Sequence, residues 1–477
     1  MNTPTFRPRR IAVAVAATCA LAAGQAFGAA FALQENSGSG LGNAFAAGAA
    51  ATEDASSMWS NPATLSKRGS MEAAAAIHLI TPSMKFHDGG SVNAGPTIPG
   101  LTPGQPLGGT GGDAGGLNIV PNMYIAVPIN RQWTFGLGLN APFGLVTEYD
   151  DGWLGRYQAV KSDIKTMNVN PALSFKPTDN IAIGFGANWQ KIDATFTNMV
   201  NYSAVIANTA QAFAAGGLIP ADQVGPVIGS TTGLDSKLSI DGDDDAWGWN
   251  IGILVDLNKN ARVGLSYRSE IEYKIGGKAS FTNPVPTVPA PVAPYVGAVT
   301  SYVNSQVLYN SDVTADVTLP AIANASIFYQ LNDRWDVMAD VQWTGWSSIK
   351  DLTFVRSGGT VLGSTPENFD DAWRIAVGAN YRHTDRWMFR GGIAWDQSPV
   401  NTADRTPRLP DDDRWWLSVG AQYKHSNNLK FDAGFTYIFV DNAQISQNAG
   451  NTALNGLING DYKSNVVIFS MQGTYTF

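Results

Sequence analysis

Apolar and polar residues alternate in runs of about ten along the C-terminal half of the chain, the length of a tilted strand that crosses a bilayer. In residues 373–382, Trp373, Ile375, Val377, Ala379 and Tyr381 share one parity, and Arg374, Ala376, Gly378, Asn380 and Arg382 the other. The runs 335–344, 387–396, 415–424 and 431–439 repeat the pattern. The last run sets Val467, Phe469, Met471, Gly473, Tyr475 and Phe477 against Ile468, Ser470, Gln472, Thr474 and Thr476. A period of two marks a strand whose two faces meet different surroundings. An aromatic stands at one or both ends of each run, where an interfacial girdle lies. Arg374, Arg390, Asp336 and Asp340 stand on the parity opposite to the aromatics, which a wet barrel lumen accepts and a dry sandwich core does not.

Short polar breaks punctuate the runs at Asn130-Arg131-Gln132, Thr178-Asp179-Asn180, Asn258-Lys259-Asn260, Asn332-Asp333-Arg334, Thr384-Asp385-Arg386 and Ser426-Asn427-Asn428. Trp133, Trp335 and Trp387 follow three of them directly. Between breaks lie longer Gly-, Pro-, Asn- and Asp-rich stretches, at 87–116, 198–236, 283–311 and 397–413, which read as loops. Short turns on the periplasmic side and long loops outside are the habit of outer-membrane barrels. Six such turns, with both chain ends also periplasmic, predict an all-β fold: an antiparallel transmembrane barrel of about fourteen strands over residues 71–477. Only about eight strands close on a lumen that side chains alone can fill. Residues 29–70, rich in Ala, Gly and Ser and without a sustained apolar face, cannot hold a fold by themselves. They are expected to fold inside the barrel as a hatch.

The N-terminus reads as an export signal over 1–28: Arg7, Arg9 and Arg10, the apolar run 11–23, then Ala26-Phe27-Gly28, so that the mature chain is expected to begin at Ala29. Losing three positive charges takes the formal net charge from −8 to −11, which argues against nucleic acid as a partner. The chain's single cysteine, Cys19, lies within the signal, so the mature chain is left without disulfides or thiolate chemistry. No metal or other cofactor is expected. The acidic run Asp241-Gly242-Asp243-Asp244-Asp245 lacks calcium-loop spacing, the four histidines are scattered, and no Gly-x-Ser-x-Gly elbow occurs. Enzymatic function is not expected.

Two local features bear on function. Trp133 to Asn140 reads as a strand that runs into Ala141-Pro142-Phe143-Gly144, and proline beside glycine weakens the ladder there. The kink at Asn140, Pro142 and Gly144 is either a side opening through the wall or a bulge near the rim. The second feature is Arg156, flanked by Trp153 and Tyr157, a set suited to an amphiphile with a charged head. Lys161, Arg374, Arg382 and Arg390 are further cations, each of which could equally pair with a carboxylate such as Asp340 or Asp396.

Read in order along the chain, several short motifs resemble the FadL family of outer-membrane transporters for long-chain fatty acids and other hydrophobic compounds. They are Ala29-Ala30-Phe31, Ser39-Gly40-Leu41-Gly42, Asn61-Pro62-Ala63, Val120-Pro121-Asn122-Met123, Phe143-Gly144-Leu145, Lys165-Thr166-Met167-Asn168, Trp247-Gly248-Trp249-Asn250, Tyr267-Arg268-Ser269-Glu270 and Asp396-Gln397-Ser398-Pro399-Val400. The resemblance implies a Gram-negative outer-membrane location, a fourteen-stranded barrel and a hatch that includes Asn61, Pro62 and Ala63. It implies capture of a hydrophobic ligand in a lumen pocket touched by Phe31 and by Phe143 near the kink, hatch movement, and lateral release at a third strand kinked over 140–144. Lys191, Asp193 and Lys350 lie where the family's carboxylate contacts are sought. Relatives carry aromatic hydrocarbons, an alternative ligand class, and a general diffusion porin is a further alternative that the hatch argues against. Expected partners are the ligand, outer-membrane lipids and lipopolysaccharide; a closed barrel needs no second subunit, so a monomer is expected.

Overall fold

The computed structural model describes residues 29–95, 97–98 and 102–477, and the expected export signal, 1–28, lies outside them. Among the described residues, strands numbered here β1 to β14 close a 14-strand antiparallel barrel. They are β1 (Glu72–Asp88), β2 (Asn118–Pro128), β3 (Trp133–Asn140 and Gly144–Glu148), β4 (Lys161–Thr178), β5 (Ile181–Val200), β6 (Ser236–Asp256) and β7 (Ala261–Arg268 and Ile271–Thr282). There follow β8 (Ser311–Leu319 and Ile322–Gln330), β9 (Trp335–Thr344 and Asp351–Arg356), β10 (Val361–Pro366 and Ala372–Arg382), β11 (Trp387–Asp396), β12 (Arg414–Lys424), β13 (Leu429–Val440 and Ala443–Gln447) and β14 (Ile458–Thr476). Closure is the long pairing of β1 with β14, from Glu72↔Thr476 to Asp88↔Gly460. All six short polar breaks fall at hairpin turns.

The period of two is realised as lipid face and lumen face. On β10, Trp373, Ile375 and Val377 are nearly half exposed, whereas Arg374 and Ala376 are buried. Rings meet across strands at the turn end, Trp133 on Phe175 at 4.5 Å, Trp335 on Tyr381 at 4.7 Å and Trp387 on Tyr423 at 4.8 Å. Eight residues on from Trp335 and Trp387 stand Trp343 and Trp395. At a rise of about 3.3 Å per residue and a tilt near 45°, that spacing covers roughly 20 Å, most of an apolar band.

Two of the stretches that read as loops contain helices: α1 (Tyr202–Ala215) and α2 (Ala293–Tyr302). Tyr202, Ile206, Ala210 and Phe213 recur at helical spacing, a short pattern hidden among small residues. They pack against Val296, Val299 and Tyr302 as an outer cap.

Inside the barrel, residues up to Ser70 form short helical turns rather than a core of their own. Side chains of Ser37, Asp54 and Asn61 cap the turns by accepting from the N–H groups of Gly40, Ser56 and Ala63. The wall approaches so closely that a Cβ on Gly184 would strike the Pro62–Ala63 backbone, and one on Gly252 the Asn61 side chain. Asn61 also donates to Ala49 O at 2.7 Å and Ile253 O at 3.0 Å, tying two turns and the wall together. Arg390, fully buried, bridges Glu53 of this segment and Asp432 of β13, and Arg382 pairs with Asp336 at 2.6 Å. Arg374 instead donates to Ala44 O at 2.6 Å and lies over the Trp416 ring.

Removing one member of a buried charge cluster leaves the others uncompensated, at about 3–5 kcal/mol. Arg390→Ala should therefore lower the temperature at which the barrel loses its compact mobility on a denaturing gel. Its single-channel conductance in planar bilayers should rise as the segment loosens.

Candidate functional site

The third strand breaks where proline and glycine weaken its ladder. Its lower half pairs with both neighbours, Leu139 opposite Met123 of β2 and Asn140 opposite Asn168 of β4. Its upper half pairs with β4 alone, from Gly144↔Lys165 to Glu148↔Lys161. Three residues, 141–143, thus span the two of β4 that lie between Lys165 and Asn168, a bulge that turns the upper half off the β2 edge. Thr166 secures the turn, its hydroxyl donating to Phe143 O at 2.7 Å and accepting from Phe143 N at 2.9 Å. Above Asn140, residues 118–122 of β2 have no ladder partner on β3.

Residues 31–36 cross this gap on its inner side. Gly144 N donates to Phe31 O at 2.9 Å and Leu33 N to Pro142 O at 2.8 Å, so Ala32 and Phe143 form an antiparallel bridge. Two residues on, β2 takes hold: Asn122 donates to Glu35 O at 2.6 Å and the Tyr124 hydroxyl to Asn36 O at 3.0 Å. Residues 31–36 therefore form a strap, one end on β3 and the other on β2.

Phe31 is also part of an aromatic cluster. Its ring lies 4.9 Å from Trp346 and 6.0 Å from Phe143, and Phe369 packs on Trp346 at 6.1 Å, all edge-on. Above it opens a cavity of about 420 Å³, within the range of small-molecule sites, lined by Phe31 and by aliphatic residues such as Ile164, Ile192, Ile275, Val313 and Ile349. The lining also carries charged groups, Lys350, Asp351, Asp316, Glu367 and Arg408.

Glu367, between the two halves of β10, and Arg408, on the loop between β11 and β12, both lie on the outer side of the girdle that Trp373 and Trp415 mark. Arg408 is half-buried and donates to Lys161 O and Ser162 Oγ, each at 3.2 Å. Its own carbonyl accepts from Thr147 on the upper half of β3, at 3.1 Å. Burial lowers its guanidinium to about 10, with Glu367 opposing the change, and it stays charged at neutral pH. Burial raises the Glu367 carboxyl to about 8 against the pull of Arg408.

Of the residues singled out in the sequence, Phe31, Phe143, Asn140, Pro142 and Gly144 meet at the kink, and Asn61, Pro62 and Ala63 dock on the neighbouring wall, against β4, β5 and β6. Arg156, Trp153 and Tyr157 meet elsewhere. Arg156 donates to Asp235, to the carbonyls of Leu107, Pro106 and Trp153, and to the Tyr157 hydroxyl, and is 4 % exposed. Trp153 donates to Ala159 O and stacks on Tyr149 at 4.0 Å. These three staple the outer loops together, and none lines the cavity. Lys191 pairs with Asp193 at 3.0 Å, away from the cavity, whereas Lys350 lines it. Arg408 and Glu367 escaped the sequence reading: Arg408 is one charge among Arg405 and Asp411 to Asp413, Glu367 one among Asp370 and Asp371, and no spacing singles either out.

The family model described as outer membrane protein transport protein (OMPP1/FadL/TodX) matches residues 19–477. The long-chain fatty acid transport protein of Escherichia coli strain K12 is 30% identical over 453 residues, covering 91% of this chain and 93% of that one. A crystal structure of a Pseudomonas aeruginosa FadL homologue superposes with a TM-score of 0.79 at 26% identity, over 94% of this chain and 100% of the other. The Pseudomonas putida toluene transporter TodX shares the fold, with a TM-score of 0.61 at 16% identity over 95% and 99% of the two chains. A closed barrel with this strand order, matched by the family model to its last residue, belongs to the OMPP1/FadL/TodX family: the protein is a transporter of the Gram-negative outer membrane, not an enzyme.

Proposed function

We propose that the protein imports long-chain fatty acids, holding the acyl chain in the cavity above Phe31 and the carboxyl group at Arg408, with Lys350 nearby. The observation that carries this reading is a half-buried arginine without an ion pair among the described residues, on the lining of an otherwise apolar cavity. A cation removed from water is costly unless something compensates it, and an acyl carboxylate would. A ligand that displaces Phe31 disturbs the strap, because the Phe31 carbonyl is bonded to Gly144. Release of the strap would unseat the hatch and leave the gap between β2 and β3 open to the bilayer, a lateral exit at Asn140, Pro142 and Gly144. The closed wall suits a monomer surrounded by outer-membrane lipids and lipopolysaccharide.

Tryptophan fluorescence tests the ligand class, since Trp346 is fully buried against Phe31. In lipid nanodiscs, oleic acid should bind at least tenfold more tightly than methyl oleate, and Arg408→Ala should abolish the preference. Arg156→Ala should leave the preference intact while making the outer loops more susceptible to protease. Preference for toluene over both lipids would place the protein with the aromatic-hydrocarbon channels instead.

The exit is tested by repairing the ladder. Pro142→Val with Gly144→Val should assemble normally yet take up labelled oleate at least tenfold more slowly than wild type. Full uptake in that variant would rule out lateral release at β3.

A further inference from the structure

Two groups on the cavity lining face a common space without meeting. The Glu367 carboxyl is 8 % exposed and makes no hydrogen bond or ion pair among the described residues. Arg408 feels its charge, yet no ion pair within 4 Å joins them. Glu367 stands on the segment joining the two halves of β10, where its N–H donates to Lys350 O at 2.9 Å, and Arg408 stands on the loop between β11 and β12. The other charged groups near Glu367 are Asp404, on the Arg408 loop, and Lys350, Asp351 and Asp316 on the cavity lining. An acid and a guanidinium held apart in this way suit a guest that accepts from one and shares a proton with the other. A carboxylate only accepts, whereas a carboxylic acid also donates.

We propose, building on the fatty-acid reading above, that Glu367 supplies a proton to the bound ligand, so that the fatty acid leaves the cavity as the neutral acid. The ligand arrives as a carboxylate and its oxygens accept from Arg408. The Glu367 carboxyl, which burial keeps protonated at neutral pH, donates its hydroxyl to the same carboxylate. One proton is then shared between two carboxyls, and the pair carries a single negative charge beside a single positive one. As the ligand departs, the O–H bond of Glu367 breaks, that of the ligand forms, and the Glu367 carboxylate recovers a proton from external water. The benefit lies at the exit. A charged head entering hydrocarbon costs several kcal/mol, and a neutral acid avoids most of that penalty.

The test uses the whole protein in phosphatidylcholine nanodiscs, with oleate and oleyl alcohol as probes and tryptophan fluorescence as the readout between pH 6 and 10. Wild-type affinity for oleate, taken relative to Glu367→Gln, should fall about tenfold per pH unit above pH 8, because a bound proton is lost. The glutamine amide donates at every pH, and the lipid's own ionisation is common to both proteins and cancels. Oleyl alcohol, which donates and accepts without ionising, should bind wild type equally across the range. Identical oleate profiles in wild type and Glu367→Gln would overturn the proposal. Should that variant fail to assemble, oleyl sulfate, anionic across the whole range, replaces oleate on wild type: weakening above pH 8 while the alcohol holds supports a proton donor at Glu367, and an affinity for the sulfate that does not change with pH overturns it. Absence of oleate binding at every pH, with the alcohol still bound, would refute the fatty-acid reading itself.

Discussion

Inside a bilayer no water is available to satisfy the backbone, so every N–H and C=O of a spanning strand must find a protein partner. Around almost the whole wall the antiparallel ladder meets this demand, from β1 against β14 through to β2 against β1. The exception is the stretch above Asn140, where Pro142 and its neighbours turn β3 away from β2. There the missing strand is supplied from within, by Phe31 and Leu33 of the strap. The seal at the side of the barrel and the end of the hatch are thus the same few residues, and the cavity rests on one of them.

The interior follows from the same constraint. Fourteen strands enclose more space than their own side chains can fill, and the lumen face carries Arg374, Arg390, Asp336 and Asp432, which need partners out of water. A segment rich in Ala, Gly and Ser can approach wall glycines at Gly184 and Gly252, and its capped turns bring carbonyls and Glu53 within reach of the arginines. It is a set of short turns stapled to the wall at separate points, with no packed core of its own. The outer cap has another basis. Aromatic stacking on Trp153 and the donors of Arg156 fix the loops over the cavity without entering it.

Much of this was legible in the sequence because barrel strands obey a strict period. Alternation at 373–382 separated lipid from lumen faces, and the six polar breaks marked the hairpin turns. The kink at Pro142 was legible as weakened pairing, but whether it opened the wall depended on where β2 continued, a long-range fact. Helical spacing from Tyr202 to Phe213 was masked by the small residues between. Arg156 stood out because aromatics flank it in sequence, and those aromatics turn out to serve loop packing. Arg408 and Glu367 approach each other only through the fold, forty-one positions apart in number and separated by two strands.

The coupling of strap, hatch and exit can be tested at one position. Ala32 and Phe143 form a bridge of the kind whose Cα atoms lie closest, near the separation a disulfide needs. The chain's only other cysteine, Cys19, precedes the hatch. Uptake of labelled oleate should be measured in cells bearing Ala32→Cys with Phe143→Cys, first oxidised and then reduced. Uptake lost on oxidation and recovered with reductant is the expected result. Equal uptake in both states, with the cross-link confirmed by mass spectrometry, would contradict a strap that must leave β3 for the ligand to pass.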